Sequence, residues 1–244
     1  MSVPLKEQWD FRGMGEILFI DKPLDWTSFD IVKKIRSLFD VRKVGHAGTL
    51  DPKASGLLIV CTGKQTRAIL SFQEAEKEYE GTFELGVITP SFDSETAVSE
   101  SNEFSHITEE DVKTAAGKFI GRVTQATPIF SAAKVNGKPL YIYARKGQAV
   151  DRPSREIEIT EFTITEFRPP FVGFRVSCSK GTYIRALAED FGTALGCGCT
   201  LRSLRRVRIG VHSVEDAMTI EEAKELSERL GIRQWSNHAV GEPA

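Results

Sequence analysis

The chain has 244 residues, 41% of them hydrophobic and 27% charged, with a formal net charge of −2. That length suits one large core or two small ones, and no apolar run approaches the roughly 20 residues that a membrane-spanning helix needs. The N-terminus lacks an apolar signal core, so a cytoplasmic setting is expected, and four cysteines without a paired C-x-x-C pattern predict reduced thiols rather than disulfides or zinc ligands.

In chain order, residues 1–12 form an N-terminal extension, and GEILFID (15–21) is predicted as a strand stopped by Lys22-Pro23. Residues 28–39 place Phe29, Val32, Ile35 and Phe39 on one helical face, with Thr27 or Ser28 as N-cap. GHAGTLDP (45–52) reads as a shaped loop. Gly45 and Gly48 permit backbone geometry that other residues resist, and Pro52 disfavours helical geometry at Asp51. The run GLLIVCTG (56–63) follows as a buried strand. Alternation over 77–87 puts Tyr79, Gly81, Phe83, Leu85 and Val87 on one side of a strand. The Ser-, Glu- and Asp-rich stretch 90–106 is expected to be an exposed loop. Thr108 then caps a helix running through Phe119, with Asp111 three residues on.

The prolines and glycines of 125–155 mark a long insertion, with a short helix within 139–147. Strands are expected at 155–167 and 171–178, then a helix at 182–195 with Tyr183, Leu187, Phe191 and Leu195 inward. A basic strand at 200–211, a helix at 219–230 and a frayed tail complete the chain. Without strict βαβ alternation, these elements predict an α+β fold, a mixed, mainly antiparallel sheet with flanking helices. Charge is uneven, net −8 over 71–130 and net +7 over 131–210. A polyanion-binding face and plain variation along the chain both fit that pattern.

Asp51 is the one carboxylate of 45–52. It can serve as nucleophile, base or charge partner, or simply as a turn residue before proline. A metal site at His46 and Asp51 would need a third ligand, and none stands out. Arg185, at the start of a helix, needs a partner if buried; Asp51 would suit it in bidentate geometry, and a surface position is the plainer reading. Tyr79 is either core or a ring for stacking and proton transfer. Lys134, Lys138, Tyr141, Tyr143, Arg145 and Lys146, with Arg202, Arg205, Arg206 and Arg208 later, interleave cations and rings. That suits unpaired RNA, or else forms a solvated loop and strand. Walker, GxGxxG and HExxH patterns are absent.

Taken together, DKPLDWTS (21–28), KVGHAGTLDPKASGLLIVCTGKQT (43–66), KEYEG (77–81), PIFSAAKVNGKPLYIYARKG (128–147) and CSKGTYIRALAEDFGTALGCGCTLRSLRR (178–206) resemble the TruB family, the tRNA pseudouridine-55 synthases. The resemblance covers residues 13–225. It implies a two-lobed pseudouridine synthase core over 13–230 with a central active-site cleft, an RNA-clamping segment at 128–150 and a flexible tail at 231–244. The implied reaction isomerises one T-loop uridine of tRNA, with no metal and no cofactor, by a monomer bound to the T-arm. By position, Asp51 matches the family's essential aspartate and Tyr79 its active-site tyrosine, the expected acceptor of the C5 proton. Arg185 matches the arginine that pairs with the aspartate. His46 matches a histidine that shapes the flipped T-loop, and Lys22 with Pro23 a motif supporting the site's floor. Lys22, Tyr183, Lys134, Arg145, Arg202 and Arg205 join His46 as expected substrate-binding residues. Two departures accompany the match. The chain stops at Ala244, short of the small C-terminal RNA-binding domain usual in bacterial members, and Lys53 stands where an apolar residue is common. A non-catalytic RNA-binding or tRNA-chaperone protein on the same scaffold is the alternative, and metal-dependent hydrolysis a more distant one.

Overall fold

The structure is a computed structural model that describes residues 8–232. The chain divides into two compact units. One takes both ends of the chain, up to Gln73 and from Val211; the other is Glu74–Gly210.

The first unit begins with β1 (Ile17–Lys22), α1 (Ser28–Leu38), β2 (Val44–His46), β3 (Ala54–Thr62) and α2 (Ile69–Glu74). β3 runs antiparallel to both β1 and β2. Almost every residue of β3 is buried, which is why its sequence is a continuous apolar run rather than an alternation. Thr27 caps α1 in a reciprocal capping box with Asp30, a device worth about 1 kcal/mol. The buried stripe of α1 is Ser28, Ile31, Val32, Ile35 and Leu38. Phe29, expected inward, is exposed instead. It falls on the flank of a stripe centred on Ile31 and Ile35, and its ring lies 4.7 Å from the Lys33 ammonium.

The second unit contains β4 (Lys77–Leu85), β5 (Val87–Ile88), β6 (Glu100–Ser101), α3 (Glu109–Gly117), β7 (Gly121–Ala126), β8 (Lys134–Val135), β9 (Lys138–Pro139), α4 (Leu140–Arg145), β10 (Ser154–Arg168), β11 (Phe171–Cys178), α5 (Ile184–Leu195) and β12 (Cys199–Ile209). Within it the strands lie in the order β12-β4-β11-β10-β7, and each neighbouring pair is antiparallel. β4 ends at Leu85, two residues before the alternation does. Gly86 turns the chain, and Val87 pairs with Ser101 instead. The Thr108–Asp111 capping box forms as the spacing predicts, and α3 stops at Gly117 rather than Phe119. Phenylalanines dominate the core. The Phe83 and Phe174 rings stack at 4.1 Å, and Phe191 lies 5.3 Å from Phe83 and 5.6 Å from Phe162. Such pairs add about 0.5–1.5 kcal/mol each beyond their buried area.

The chain then returns to the first unit. Met218 exchanges backbone hydrogen bonds with β1, accepting from Asp21 and donating to Phe19, both at 2.9 Å. α6 (Ile220–Arg229) follows, capped by Thr219 and Glu222. Ile220, Ala223 and Leu226 join Leu18, Ile20, Ile31, Ile35, Phe39, Leu58 and Val60 in one core. Phe11, which falls within the expected N-terminal extension, also belongs to this core, stacked on Phe39 at 4.0 Å. From residue 233 the expected tail lies outside the described residues, as does the extension up to residue 7. The α+β expectation with a mainly antiparallel sheet agrees with both units. Among the described residues no helix is long and apolar enough to cross a membrane.

Candidate active site

Asp51 sits half-buried in the loop between β2 and β3. Three contacts pin this loop to the turn before α1. Ser28 Oγ accepts the Leu50 amide proton at 2.9 Å and donates to the Leu50 carbonyl at 3.1 Å. The Asp25 amide donates to the Pro52 carbonyl at 2.8 Å, and Lys53 Nζ meets Asp25 Oδ1 at 2.6 Å. Lys53, the departure from the family pattern, thus has a local partner. The two glycines act differently. Gly48 has φ +116°, a region that side chains resist. Gly45 needs no unusual φ; a Cβ there would come within 2.8 Å of Ile69 Cδ1, so its role is close approach.

Lys22, expected to bind substrate and to support the site's floor, is buried. It is 0% exposed, and its ammonium donates to the carbonyls of Pro23 at 2.8 Å and Trp26 at 2.6 Å. A cation removed from water must be compensated, and these two carbonyls tie it to the turn that also holds the Asp51 loop. His46 is half-buried on β2, with its backbone opposite Val60.

In the second unit, Tyr79 lies on β4 between Val176 of β11 and Arg206 of β12, and is buried. Arg185, in the first turn of α5, is 5% exposed. Its Nε lies 3.4 Å from Asp93 Oδ2. Nη1 donates to the Ser91 carbonyl at 3.3 Å and Nη2 to the Phe130 carbonyl at 3.1 Å. Asp93 is itself held: its Oδ1 accepts from Ser91 Oγ at 2.6 Å and from the Glu95 amide at 2.9 Å. Between Ser91 and Asp93, Phe92 has φ +59°, an uncommon conformation for a bulky residue. The composition of 90–106 reads as an exposed loop. In fact Ser91 and Asp93 are buried, because they satisfy one another and a buried guanidinium. Asp93 is the functional candidate that sequence reasoning missed, since nothing local distinguishes it from the other acidic residues of a polar loop.

Tyr183 is the N-cap of α5, and the Arg155 guanidinium lies 5.2 Å from its ring. In the 128–150 segment, β8 and β9 form a hairpin across Asn136-Gly137, and α4 follows, anchored by buried Leu140. Lys134 and Arg145 are exposed there, and the Arg145 guanidinium lies 5.4 Å from the Tyr141 ring.

The basic strand β12 differs most from expectation. Arg206, grouped from sequence with cations suited to unpaired RNA or a solvated strand, is 1% exposed and so is not solvated. Arg208 pairs with Glu78 at 2.7 Å and Glu76 at 3.2 Å. Arg175 of β11 pairs with Glu80 and, at 3.5 Å, with Glu78. Arg205 lies opposite Glu80 in register. Arg202 stays largely exposed, 3.9 Å from Glu84. Alternate residues of β4 thus oppose cations on the flanking strands, a cross-strand charge ladder. Buried Lys77 has its pKa lowered by desolvation and by the Arg206 charge. Burial pushes the Cys178 thiol up to about 11. On α5, burial and the neighbouring Glu189 raise the Asp190 carboxyl to about 6. Among the described residues no group of three or more His, Cys, Asp or Glu side chains is placed to hold a metal ion.

An α+β protein with a carboxylate on a braced loop and a buried arginine-aspartate pair is the class that the geometry defines. The chain belongs to the TruB family of pseudouridylate synthases: the model of that family's N-terminal domain matches residues 36–184. A second model, described as the tRNA pseudouridylate synthase B C-terminal domain, matches residues 185–231. That C-terminal signature therefore falls on α5, β12 and α6, inside the stretch assigned from sequence to the catalytic core. Similar curated proteins carry the name tRNA pseudouridine synthase B. The one from Chlorobium chlorochromatii is 47% identical over 86% of this chain and 85% of its own. That from Phocaeicola vulgatus is 47% identical over 91% and 97%, respectively. Among solved structures, a Cbf5-Nop10-Gar1 complex matches with TM-score 0.70 and 28% identity over 90% of this chain. An archaeal box H/ACA sRNP Nop10-Cbf5 complex matches with TM-score 0.66 and 26% identity over 90% of this chain. The chain spans 57% and 55% of the matched chains in those two structures.

Proposed function

We propose that the chain converts uridine 55 in the T-loop of tRNA to pseudouridine, acting as a cytoplasmic monomer on the T-arm. The observation that carries this reading is the similarity to tRNA pseudouridine synthase B, 47% identity over most of the chain, with Asp51 standing on a loop braced at three points. A uridine within a folded loop must be flipped out, at a cost of a few kcal/mol. The rings of Tyr79, His46 and Tyr183 and the cations Lys134, Arg145, Arg202 and Arg205 offset that cost.

The reaction is an isomerisation, so atoms and electrons balance within the nucleotide. The N1–C1′ bond breaks with its electron pair on the uracil, the base rotates, C5 bonds to C1′, the C5 proton leaves and N1 gains one. Asp51 serves either by attacking C1′ and being displaced by C5, or by taking the 2′-proton and returning it. Tyr79 is the acceptor of the C5 proton. Arg185, held by Asp93, Ser91 and Phe130, is the arginine of the same catalytic set. Replacing Asp51 by Asn is expected to abolish tritium release from 5-tritiated uridine in tRNA; retained turnover overturns the reading. Exposed Lys134 and Arg145 also suit a protein that only holds or refolds tRNA. The same variant separates the two, because a folding role survives Asp51→Asn.

A further inference from the structure

We infer that Gln125 is a positioning residue for Arg185; this rests on the reading of Arg185 as part of the catalytic set. Gln125 lies on β7 and is 2% exposed. Its side-chain carbonyl accepts the Tyr183 amide proton at 2.8 Å, and its side-chain NH2 donates to the Tyr183 carbonyl at 3.1 Å. One amide therefore brackets both polar groups of one residue. That residue is the N-cap of α5, and it has no side-chain cap of its own. Its carbonyl also accepts the first helical bond, from the Leu187 amide at 3.0 Å.

Arg185 stands two residues further on, in the same turn. Its guanidinium reaches two separate segments, Ser91 and Asp93 on one side and Phe130 on the other. A long side chain meets three acceptors at once only if the backbone beneath it is fixed. Gln125 fixes it, and also lies on the strand that leads to Phe130. Two residues after Gln125, the Thr127 amide donates to the Pro153 carbonyl at 3.0 Å and closes the neck of the 128–150 segment. A misplacement of about 1 Å far from the reacting atoms can cost about a hundredfold in rate. The Tyr183 ring is held separately by Arg155, so loss of the Gln125 amide does not release that ring.

The test uses the full chain with tRNA, measuring single-turnover pseudouridine formation and tRNA affinity side by side. Gln125→Met keeps the volume but neither donates nor accepts. It is expected to slow the single-turnover rate about 10- to 100-fold while Kd stays within about twofold. Thr219→Ala, which removes the α6 cap, serves as a stability control and is expected to lower Tm without slowing the reaction. Gln125→Glu adds a pH readout. A buried carboxyl has a raised pKa, so its rate relative to the parent is expected to climb from about pH 8.5 to about pH 6, as the neutral acid again donates and accepts. The Gln125→Met ratio is expected to stay flat. A Gln125→Met rate within twofold of the parent, a rate loss matched by weaker binding, or an equal loss in Thr219→Ala overturns the proposal. Arg185→Lys is run alongside. If it loses the rate while Gln125→Met keeps it, the positioning role alone fails; if both keep it, the reading of Arg185 fails as well.

Discussion

Asp51 and Asp93 are both loop carboxylates, and their loops hold them by different means. The Asp51 loop is shaped by its own residues, Gly48 and Pro52, and fastened to a turn close by in sequence through Ser28, Asp25 and Lys53. A buried ammonium, Lys22, supports that turn through two carbonyls. The Asp93 loop carries Phe92 at φ +59° and is secured by a side chain from a remote helix. In one loop a cation braces the neighbouring turn through the Pro23 and Trp26 carbonyls. In the other, a cation meets the Asp93 carboxylate at 3.4 Å. The first arrangement leaves a carboxylate half-buried; the second buries both charges.

The sharpest way to break this contrast is Asp93→Ala. It removes the carboxylate that Arg185 Nε meets at 3.4 Å, and breaking a buried pair should cost about 3–5 kcal/mol, or a Tm drop of roughly 10 °C for a chain of this size. Thermal unfolding measures it, and a drop under about 2 °C would mean that the pair does not secure the loop. Next is Lys22→Met, which leaves the Pro23 and Trp26 carbonyls without that donor, at about 1–3 kcal/mol. Tm should fall and the single-turnover rate with it, while tRNA affinity holds; weaker binding with an intact rate would mark Lys22 as a substrate contact.

A smaller effect is expected at Asp190, on the helix that carries Arg185. Burial first, then Glu189, raises its pKa from 3.8 to about 6, against the opposing Arg152 charge. The folded state thus holds this proton more tightly than the unfolded chain. The group's contribution is fullest below about pH 4 and is lost as pH rises through about 6. Asp190→Asn should flatten that part of the stability profile and raise Tm at neutral pH by ~2–4 °C, about 1 kcal/mol once solvent screening is allowed for. An unchanged slope in pH-dependent melting counts against it. Smallest is the division among surface cations. Lys134→Ala should reduce the slope of log affinity for tRNA against log salt by about 1, and Arg208→Ala, already paired with Glu76 and Glu78, should leave it unchanged. Equal slopes for both variants would remove the distinction between free and laddered cations.

Features with local causes were legible in the residues alone. The capping box at Thr108 forms where the three-residue spacing puts it, and the α1 cap falls on Thr27, one of the two positions expected, because cap and partner lie within one helical turn. The Asp51 loop was visible for the same reason: glycine and proline restrict the backbone where they stand. Other features depended on partners far along the chain. Whether Arg206 and Lys22 face water or the interior was not written in a run of basic residues or in a Lys-Pro pair. Nor did a Ser- and Glu-rich loop reveal that Ser91 and Asp93 are buried, since polar composition ordinarily means exposure. What buries them is Arg185, 94 residues beyond Ser91. The sequence by itself determined the Asp51 loop, the Thr108 cap and the longer strands, all set by dihedral preference, apolar patterning and short-range hydrogen bonds. Only the tertiary structure decided which charges are buried together, because a buried charge is tolerable only when folding brings its partner to it.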